Sequence, residues 1–251
     1  MKENNKLANS ICEFVKRSKK KGLVEIPLPT GFGKTHAVMQ AMSVMADRET
    51  GSFSDVKRII FTTTLKKNLP VEKLRDYYKG DFDKEVLLLK SNVDSLIDFH
   101  ANGGLSKIPE KFKDDAFYKM VKRLDHLKTL QAKKEKSSDD FEFIQELKEH
   151  ANEDEQVFRK HIRSILRENF RTSVEQKKAI KKRSGFQWIG ELYPYIFIDD
   201  KKVIFMSMRK LLSGLSPLAG SGNSLLTEEF LNGSLRQIAQ MGTLRVPIFR
   251  T

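Results

Sequence analysis

One short segment of the sequence combines glycine, lysine and threonine at a spacing suited to phosphate chemistry. It is Leu28-Pro29-Thr30-Gly31-Phe32-Gly33-Lys34-Thr35. Gly31 and Gly33 permit a strained loop whose backbone N–H groups closely approach phosphate oxygens. Lys34 can reach the β- and γ-phosphates as the catalytic cation, and Thr35 can offer its hydroxyl to Mg²⁺. The segment therefore predicts an ATP site, with these contacting residues: Thr30, Gly31, Phe32, Gly33, Lys34 and Thr35.

The segments around this loop have the patterns that a phosphate loop requires. Residues Leu23 to Leu28 favour a strand, and Thr35 to Met45 favour a helix with one apolar face. The β-branched and aromatic residues of Arg58 to Thr64 favour a second strand, and Val86 to Leu89 a further one. A strand, a loop, a helix and a strand form a βαβ unit, so we expect a parallel sheet with a right-handed crossover. The segment Leu7 to Lys19 is predicted to be an amphipathic helix.

The segment Pro29 to Thr35 resembles motif I of superfamily 2 helicases and translocases, the DEAD/DEAH-like and type III restriction-enzyme-like group. That group commonly has a small residue at the first glycine of G-x-x-x-x-G-K-[ST], whereas Leu28 is bulkier. Ile59 to Leu65 resembles motif Ia, and Val203 to Leu212 is similar to the later strand-plus-loop motif, Ib/Ic. The resemblance implies an α/β fold, a RecA-like P-loop parallel sheet flanked by helices. It also implies ATP-dependent action on nucleic acid.

Hydroxyl and basic side chains at two strand ends are candidate nucleic-acid contacts. The first group is Thr62, Thr63, Thr64 and Lys66, and the second is Ser207, Arg209 and Lys210. Hydroxyl and ammonium groups at such positions suit phosphate oxygens. The alternative is that β-branched threonines simply favour the end of a strand. The net charge of +13, from 46 Lys+Arg against 33 Asp+Glu, supports a polyanionic partner, with DNA favoured over RNA; the alternative is a generally basic, solvated surface.

Hydrolysis of ATP also requires a carboxylate that holds Mg²⁺ and a group that orients water. Asp154-Glu155 is predicted to lie on a solvated helix face. Tyr195 to Asp200 is an apolar run closed by two acids, which could be a metal-binding strand with Asp199 on Mg²⁺ and Asp200 as the base. The favoured alternative is a hairpin turn at Asp199 and Asp200, joining a strand at Tyr195 to Ile198 with one at Val203 to Met206.

The residue pattern divides the chain into three segments. Residues 1–108 are predicted to form the first part of the ATP-binding lobe, 109–184 a helical insertion, and 185–251 a continuation of the lobe that is incomplete. Within the insertion, helical apolar spacing on both sides of a polar break at Lys133 to Asp140 predicts two helices. Its basic end, Lys177 to Arg183, is a candidate for contacts with DNA or with a partner. The insertion as a whole is a candidate for binding other subunits.

These patterns lead to one functional expectation and two alternatives. The chain is expected to be a fragment of a larger helicase: the ATP-binding first lobe without motif II or the second lobe. The full-length parent would hydrolyse ATP, and this chain alone would be inactive. One alternative is a self-contained P-loop ATPase that uses Asp199 and Asp200. The other is a nucleic-acid-binding remnant without catalysis.

Other residue types narrow the class of protein. A single cysteine, Cys12, excludes an intramolecular disulfide and is predicted to be a buried helix residue. The sequence has no apolar run long enough for a bilayer, so we expect no membrane partner and a cytoplasmic location. The histidines lack metal-ligand spacing, and His36 is predicted on a helix surface. Trp188 is predicted to pack in a core.

Overall fold

The computed structural model describes residues 2–17, 33–47, 53, 56, 58–64, 68–133, 135, 137–208 and 210–211. These residues form two compact units. Unit 1 contains the described residues up to Leu89 and those from Phe197 onward, and the described residues of unit 2 lie within Lys90–Ile196. The chain therefore leaves unit 1 after two described strands, forms unit 2, and returns to unit 1 for a third.

Unit 1 is a small parallel sheet with helices. Its elements are α1 (Lys2–Arg17), α2 (Lys34–Ala46), β1 (Ile59–Thr63), α3 (Val71–Arg75), α4 (Phe82–Glu85), β2 (Val86–Leu89) and β3 (Val203–Ser207). The three described strands lie in the order β1-β3-β2, and both pairs are parallel. Near-continuous apolar runs are typical of strands that are buried on both faces. The expectation of a parallel α/β sheet flanked by helices is confirmed at this level.

Helix α2 supplies most of one layer of the core of unit 1. Its buried residues are Ala37, Val38, Met39, Ala41, Met42, Ser43, Met45 and Ala46. All of them except Ser43 form one apolar cluster with Phe61 of β1 and with Val203 and Phe205 of β3. The Phe61 and Phe205 rings lie 5.4 Å apart, between centroids. Helix α1 adds Ala8 and partly buried residues, including Cys12, to the same cluster. The apolar residues of α2 thus hold its axis against the sheet.

Unit 2 is helical throughout. Its elements are α5 (Asn92–Ala101), two 3-10 turns (Gly104–Lys107 and Glu110–Phe112), α6 (Asp115–Ala132), α7 (Ser138–Asn169), α8 (Ser173–Lys182) and α9 (Gln187–Leu192). Capping boxes begin α7 at Ser137 with Asp140 and α8 at Thr172 with Glu175. In each box a hydroxyl accepts a hydrogen bond from an amide of the first turn, which fixes where the helix starts. The predicted break between two long helices is confirmed.

An aromatic cluster forms the core of unit 2. Phe158 of α7 is fully buried, and its ring centroid lies 5.4 Å from that of Phe117 and 6.2 Å from that of Trp188. The Trp188 ring also lies 5.1 Å from the Phe112 ring, and its Nε1–H donates to the Gly185 carbonyl at 3.0 Å. The prediction that Trp188 packs in a core is confirmed, because only 2% of its surface is exposed.

One strand prediction is wrong. The segment Tyr195 to Ile198 is not extended: Pro194–Asp200 forms a 3-10 helix, and Lys201 and Lys202 then lead into β3. A short apolar run is compatible with a strand or a buried helical turn, and Tyr195, Ile196 and Ile198 are buried here in the helical form. The predicted hairpin at Asp199 and Asp200 is therefore absent.

Within the described part of the chain, none of the helices has the length and the apolar character needed to cross a membrane. The predicted strand Leu23 to Leu28 lies outside the described residues, as does the chain beyond Leu211.

Replacing Phe158 with alanine is expected to lower the free energy of unfolding by about 3 to 5 kcal/mol, because the cavity would sit inside the aromatic cluster. Phe141 is a matched control on the same helix, since 61% of its surface is exposed. Phe141→Ala is expected to change stability by less than about 0.5 kcal/mol. Urea unfolding followed by circular dichroism measures both; equal losses would contradict this packing.

Candidate functional site

The described part of the predicted phosphate loop is its last three residues, Gly33, Lys34 and Thr35. Thr30, Gly31 and Phe32 lie outside the described residues. Gly33 has φ 72° and ψ 17°, in the left-handed region, and α2 begins directly after it at Lys34. A side chain at this φ would be strained, whereas glycine adopts it at little cost. The backbone therefore requires glycine at the residue where the motif places it.

The first turn of α2 presents groups suited to an anion. The Ala37 amide donates to the Gly33 carbonyl at 3.1 Å, so helical hydrogen bonding starts at Gly33. Glycine lacks a side chain that could cap the first amides, and the first turn contains no acidic residue. Lys34 is half-buried and Thr35 is exposed. Helix N-termini with these properties attract phosphate groups.

Tyr77, which follows α3, contacts the first turn of α2. His36 is exposed, as predicted for a helix surface, and its Nδ1 lies 3.1 Å from the Tyr77 hydroxyl. The two rings meet edge-on with their centroids 6.4 Å apart. The Ser43 hydroxyl, about two turns further along α2, donates to the Tyr77 carbonyl at 2.5 Å. Tyr77 thus fixes α2 at two points, which positions its first turn.

The two candidate nucleic-acid motifs end side by side at the carboxyl edge of the sheet. Because β1 and β3 are parallel neighbours, Thr63 pairs in register with Ser207. Thr64 follows Thr63 and is exposed. The Ser207 hydroxyl accepts a hydrogen bond from the Lys210 amide at 3.2 Å, so it caps the helical residues that follow β3. Segments far apart in the sequence therefore share one edge.

The burial of Thr62 is at odds with a contact role for its side chain. Only 8% of its surface is exposed, and its hydroxyl oxygen is enclosed. Thr63 is half-buried, so among these threonines Thr63 and Thr64 reach the surface. Position along β1 explains the difference, since the middle of the strand is buried on both faces and exposure begins at its carboxyl end. The other candidates, Lys66 and Arg209, lie outside the described residues.

Asp199 lies at the opposite edge of the sheet. Its carboxylate oxygen Oδ1 is 3.3 Å from Nη2 of Arg58, which directly precedes β1. The Ile59 amide donates to the Lys202 carbonyl at 2.8 Å, and the Lys202 amide donates to the Glu85 carbonyl at 2.8 Å. These contacts all join residues that precede or begin strands. Ligands of parallel α/β sheets bind at the carboxyl ends, so this position favours a structural ion pair over a metal ligand.

A buried ionic group in unit 2 corrects another prediction. Glu155 was predicted on a solvated face, yet it is fully buried. Its carboxylate lies 3.2 Å from Nε of Arg159, one turn along α7, of which 2% is exposed. The preceding Asp154 pairs with Arg123 of α6 at 2.7 Å. The many charged residues around Glu155 are typical of a solvated face. Inside the fold, however, each of the two acids has a basic partner, which permits its burial.

Two tyrosines share this buried environment. The rings of Tyr193 and Tyr195 lie 5.8 Å apart between centroids. Burial raises the pKa of Tyr195 to about 12, with Arg159 opposing and Glu155 adding to the shift. Burial, followed by the charge of Glu155, raises the pKa of Tyr193 well above its usual value. Burial, the largest influence, lowers the pKa of Arg159, but the Glu155 carboxylate and the two tyrosines together outweigh it and the pKa is raised. The group therefore keeps its ion pair and its neutral phenols at neutral pH.

Comparison with known proteins adds no relative to this chain: no protein-family model matches it, and no curated protein is similar to it.

The buried phenol of Tyr195 predicts a loss of stability at high pH. An unfolded tyrosine ionises near pH 10, whereas the folded pKa of Tyr195 is about 12. The stabilisation that this neutral phenol contributes is therefore complete below about pH 10. Above that pH its contribution to the free energy of unfolding falls by about 1.4 kcal/mol per pH unit, up to the folded pKa. Tyr195→Phe should make the fall in unfolding free energy between pH 10 and 12 shallower by that amount. Urea unfolding across this range measures it, and identical slopes for both proteins would refute it.

Proposed function

We propose that this chain is the ATP-binding, RecA-like first lobe of a superfamily 2 helicase or translocase that acts on nucleic acid. The observation that carries the proposal is the left-handed Gly33 directly before α2, followed by Lys34 and Thr35. A glycine-dependent turn that feeds a helix whose first residues are lysine and threonine has the chemistry of a triphosphate site. The parallel sheet supports the same proposal, because such lobes are built on one.

The direction of α2 supports a site at the carboxyl edge of the sheet. Helix α2 packs on the sheet through one apolar cluster and is followed by β1. In a right-handed crossover the helix runs back against the strands, so its N-terminus faces the carboxyl edge. That is also the edge where Thr63 and Ser207 end their strands. ATP at Lys34 and nucleic acid at Thr63 and Thr64 would then lie on the same side of unit 1.

Each residue of the site has a distinct task in this proposal. Lys34 neutralises charge on the β- and γ-phosphates, and the amides of the first turn of α2 donate to phosphate oxygens. The exposed Thr35 hydroxyl would hold Mg²⁺, which would supply positive charge against the phosphates. Thr63, Thr64 and Lys66 would contact the nucleic-acid backbone, with DNA favoured. In this proposal a residue other than Asp199 supplies the carboxylate for Mg²⁺, since Asp199 pairs with Arg58 at the opposite edge of the sheet.

Lys34→Ala is expected to weaken binding of Mg²⁺-ATP by about 10- to 150-fold, the loss that corresponds to one hydrogen bond to a charged group. Isothermal titration calorimetry, or the fluorescence of a labelled ATP analogue, measures the dissociation constant. Lys73→Ala is the matched control, since Lys73 is an exposed lysine of α3 in the same unit. Equal ATP affinity for Lys34→Ala and the wild type would count decisively against the proposal.

Asp199→Asn separates this proposal from a self-contained ATPase. If Asp199 is structural, the substitution leaves ATP affinity unchanged and lowers the free energy of unfolding by no more than about 1 kcal/mol, as for a partly exposed ion pair. Its side chain is 32% exposed and that of Arg58 is 18% exposed. Steady-state phosphate release and thermal unfolding provide the measurements. ATP hydrolysis by the wild type that Asp199→Asn abolishes, with binding retained, would instead establish the self-contained enzyme.

A further inference from the structure

Unit 2 contains an open cavity of about 600 Å³ beside α8. The end of α7, the turn that follows it, and one face of α8 surround this space. We call it the α8 groove, and its lining residues are Asn169, Phe170, Arg171, Glu175, Lys178, Ala179, Lys182 and Arg183. Four of these eight side chains are basic and one is acidic. The groove is therefore a concave surface with an excess of positive charge.

The basic residues of the groove differ from others in the same unit. Lys107 pairs with Glu191, Arg123 with Asp154, and Lys133 with Asp140, each within 2.8 Å. By contrast, Arg171, Lys178, Lys182 and Arg183 are all exposed, and none of them forms an ion pair with another residue in the described part of the chain. Four cations without counter-charges in one concavity repel each other, and a bound anion would relieve that repulsion.

The single acid of the groove is already engaged by backbone amides. The Glu175 carboxylate oxygen Oε2 accepts hydrogen bonds from the Arg171 amide at 3.0 Å and from the Thr172 amide at 3.1 Å. This arrangement is the capping box that begins α8. The carboxylate is therefore held at the N-terminus of the helix, where the helix dipole and two donors offset its charge. It does not neutralise the lysines further along α8.

The spacing of the cations fits a chain of phosphates better than a single one. Lys178 and Lys182 are one helical turn apart on the same face of α8, with Cβ atoms about 5 to 6 Å apart. Arg171 precedes the helix and Arg183 follows it. A helix of 10 residues is about 15 Å long. Because one phosphate spans far less than this length, the row of cations suits a ligand with a repeating negative charge.

The aromatic residue of the groove is not available for stacking. Phe170 is buried, its ring lies 5.4 Å from the Phe186 ring, and the Arg183 guanidinium lies 5.0 Å from its centroid. Stacking of bases requires an exposed aromatic face, so base recognition has no platform among the lining residues. The Phe170 ring instead supports Arg183 through a cation–π contact. The groove therefore offers charge and no aromatic platform on which a base could stack.

We propose that the α8 groove binds the phosphodiester backbone of nucleic acid, without sequence preference, through Arg171, Lys178, Lys182 and Arg183. This site belongs to the helical unit and does not depend on ATP binding at Lys34. It goes beyond the proposed contacts at Thr63 and Thr64, because it adds a second binding surface. Its affinity comes from counterion release, so it falls steeply as the salt concentration rises.

The test compares the salt dependence of DNA binding by the full chain. Fluorescence anisotropy with two labelled duplexes of unrelated sequence, between about 50 and 200 mM NaCl, gives the slope of log K against log[salt]. Lys178→Ala/Lys182→Ala should lower the magnitude of that slope by about 1.8, since each phosphate contact contributes about 0.9 on duplex DNA. It should weaken binding of both duplexes equally. An unchanged slope, or a loss confined to one duplex, would overturn the proposal.

Matched variants separate the groove from charge in general. Lys119→Ala/Lys122→Ala removes the same charge from exposed positions of α6 outside the groove and should leave the slope unchanged. Lys178→Arg/Lys182→Arg keeps the charge and should keep the affinity. If the α6 variant lowers the slope as much as the groove variant, a diffuse basic surface is responsible and the groove proposal fails. Circular dichroism establishes that each variant keeps the helix content of the wild type.

Two further measurements fix the ligand class and keep the two proposals apart. Polyglutamate, added at the same charge concentration as unlabelled DNA, should compete much more weakly than DNA. Equal competition would indicate an acidic protein partner and would overturn the nucleic-acid proposal.

Lys34→Ala should retain the full salt slope. Loss of ATP binding in that variant, with groove binding intact, would show that the sites act separately, whereas failure of the ATP proposal alone leaves the groove result standing.

Discussion

The parallel pairing of β3 with both β1 and β2 is the interaction on which the described part of unit 1 depends. All five residues of β3 are buried, and the strand supplies hydrogen bonds to both neighbours. It enters the sheet only after the chain has passed through Lys90–Ile196 of unit 2. Closing such a connection costs entropy before any strand contact is gained. The apolar cluster of α2, Phe61 and Phe205 offsets that cost, so sheet and helix stabilise each other.

The parallel arrangement divides the chemistry of unit 1 between two edges. At the amino edge, acidic and basic groups are joined to each other, as in the pairs Arg58–Asp199 and Lys202–Glu85. At the carboxyl edge the strands end in hydroxyl residues, Thr63 and Ser207. One edge is thus a closed polar network that holds strand ends together. The other edge carries donor groups, next to which the start of α2 would present Lys34 and Thr35 in the proposed lobe.

Unit 2 contains two kinds of charged group: a buried ion pair and an exposed set of cations. Inside, Glu155 and Arg159 form an ion pair that two buried phenols surround, and removing one partner would leave an uncompensated charge. Outside, the cations of the α8 groove face open space. The first arrangement fixes how α7 packs, and the second leaves electrostatic potential available for a ligand. The proposed groove would give this helical unit a supporting role in nucleic-acid binding.

Sequence pattern alone predicts the elements with a clear local signal: α2, β1, β2 and the break between α6 and α7. It also singles out Gly33, Lys34 and Thr35 of the proposed phosphate loop, because those residue types are needed locally. Tertiary structure decided that Tyr195 to Ile198 forms a 3-10 helix, that Glu155 is buried and that Thr62 is enclosed. It alone brought Thr63 beside Ser207 and assembled the α8 groove. The physical reason is that local propensity acts between near neighbours, whereas burial and charge pairing depend on residues that meet only in the fold.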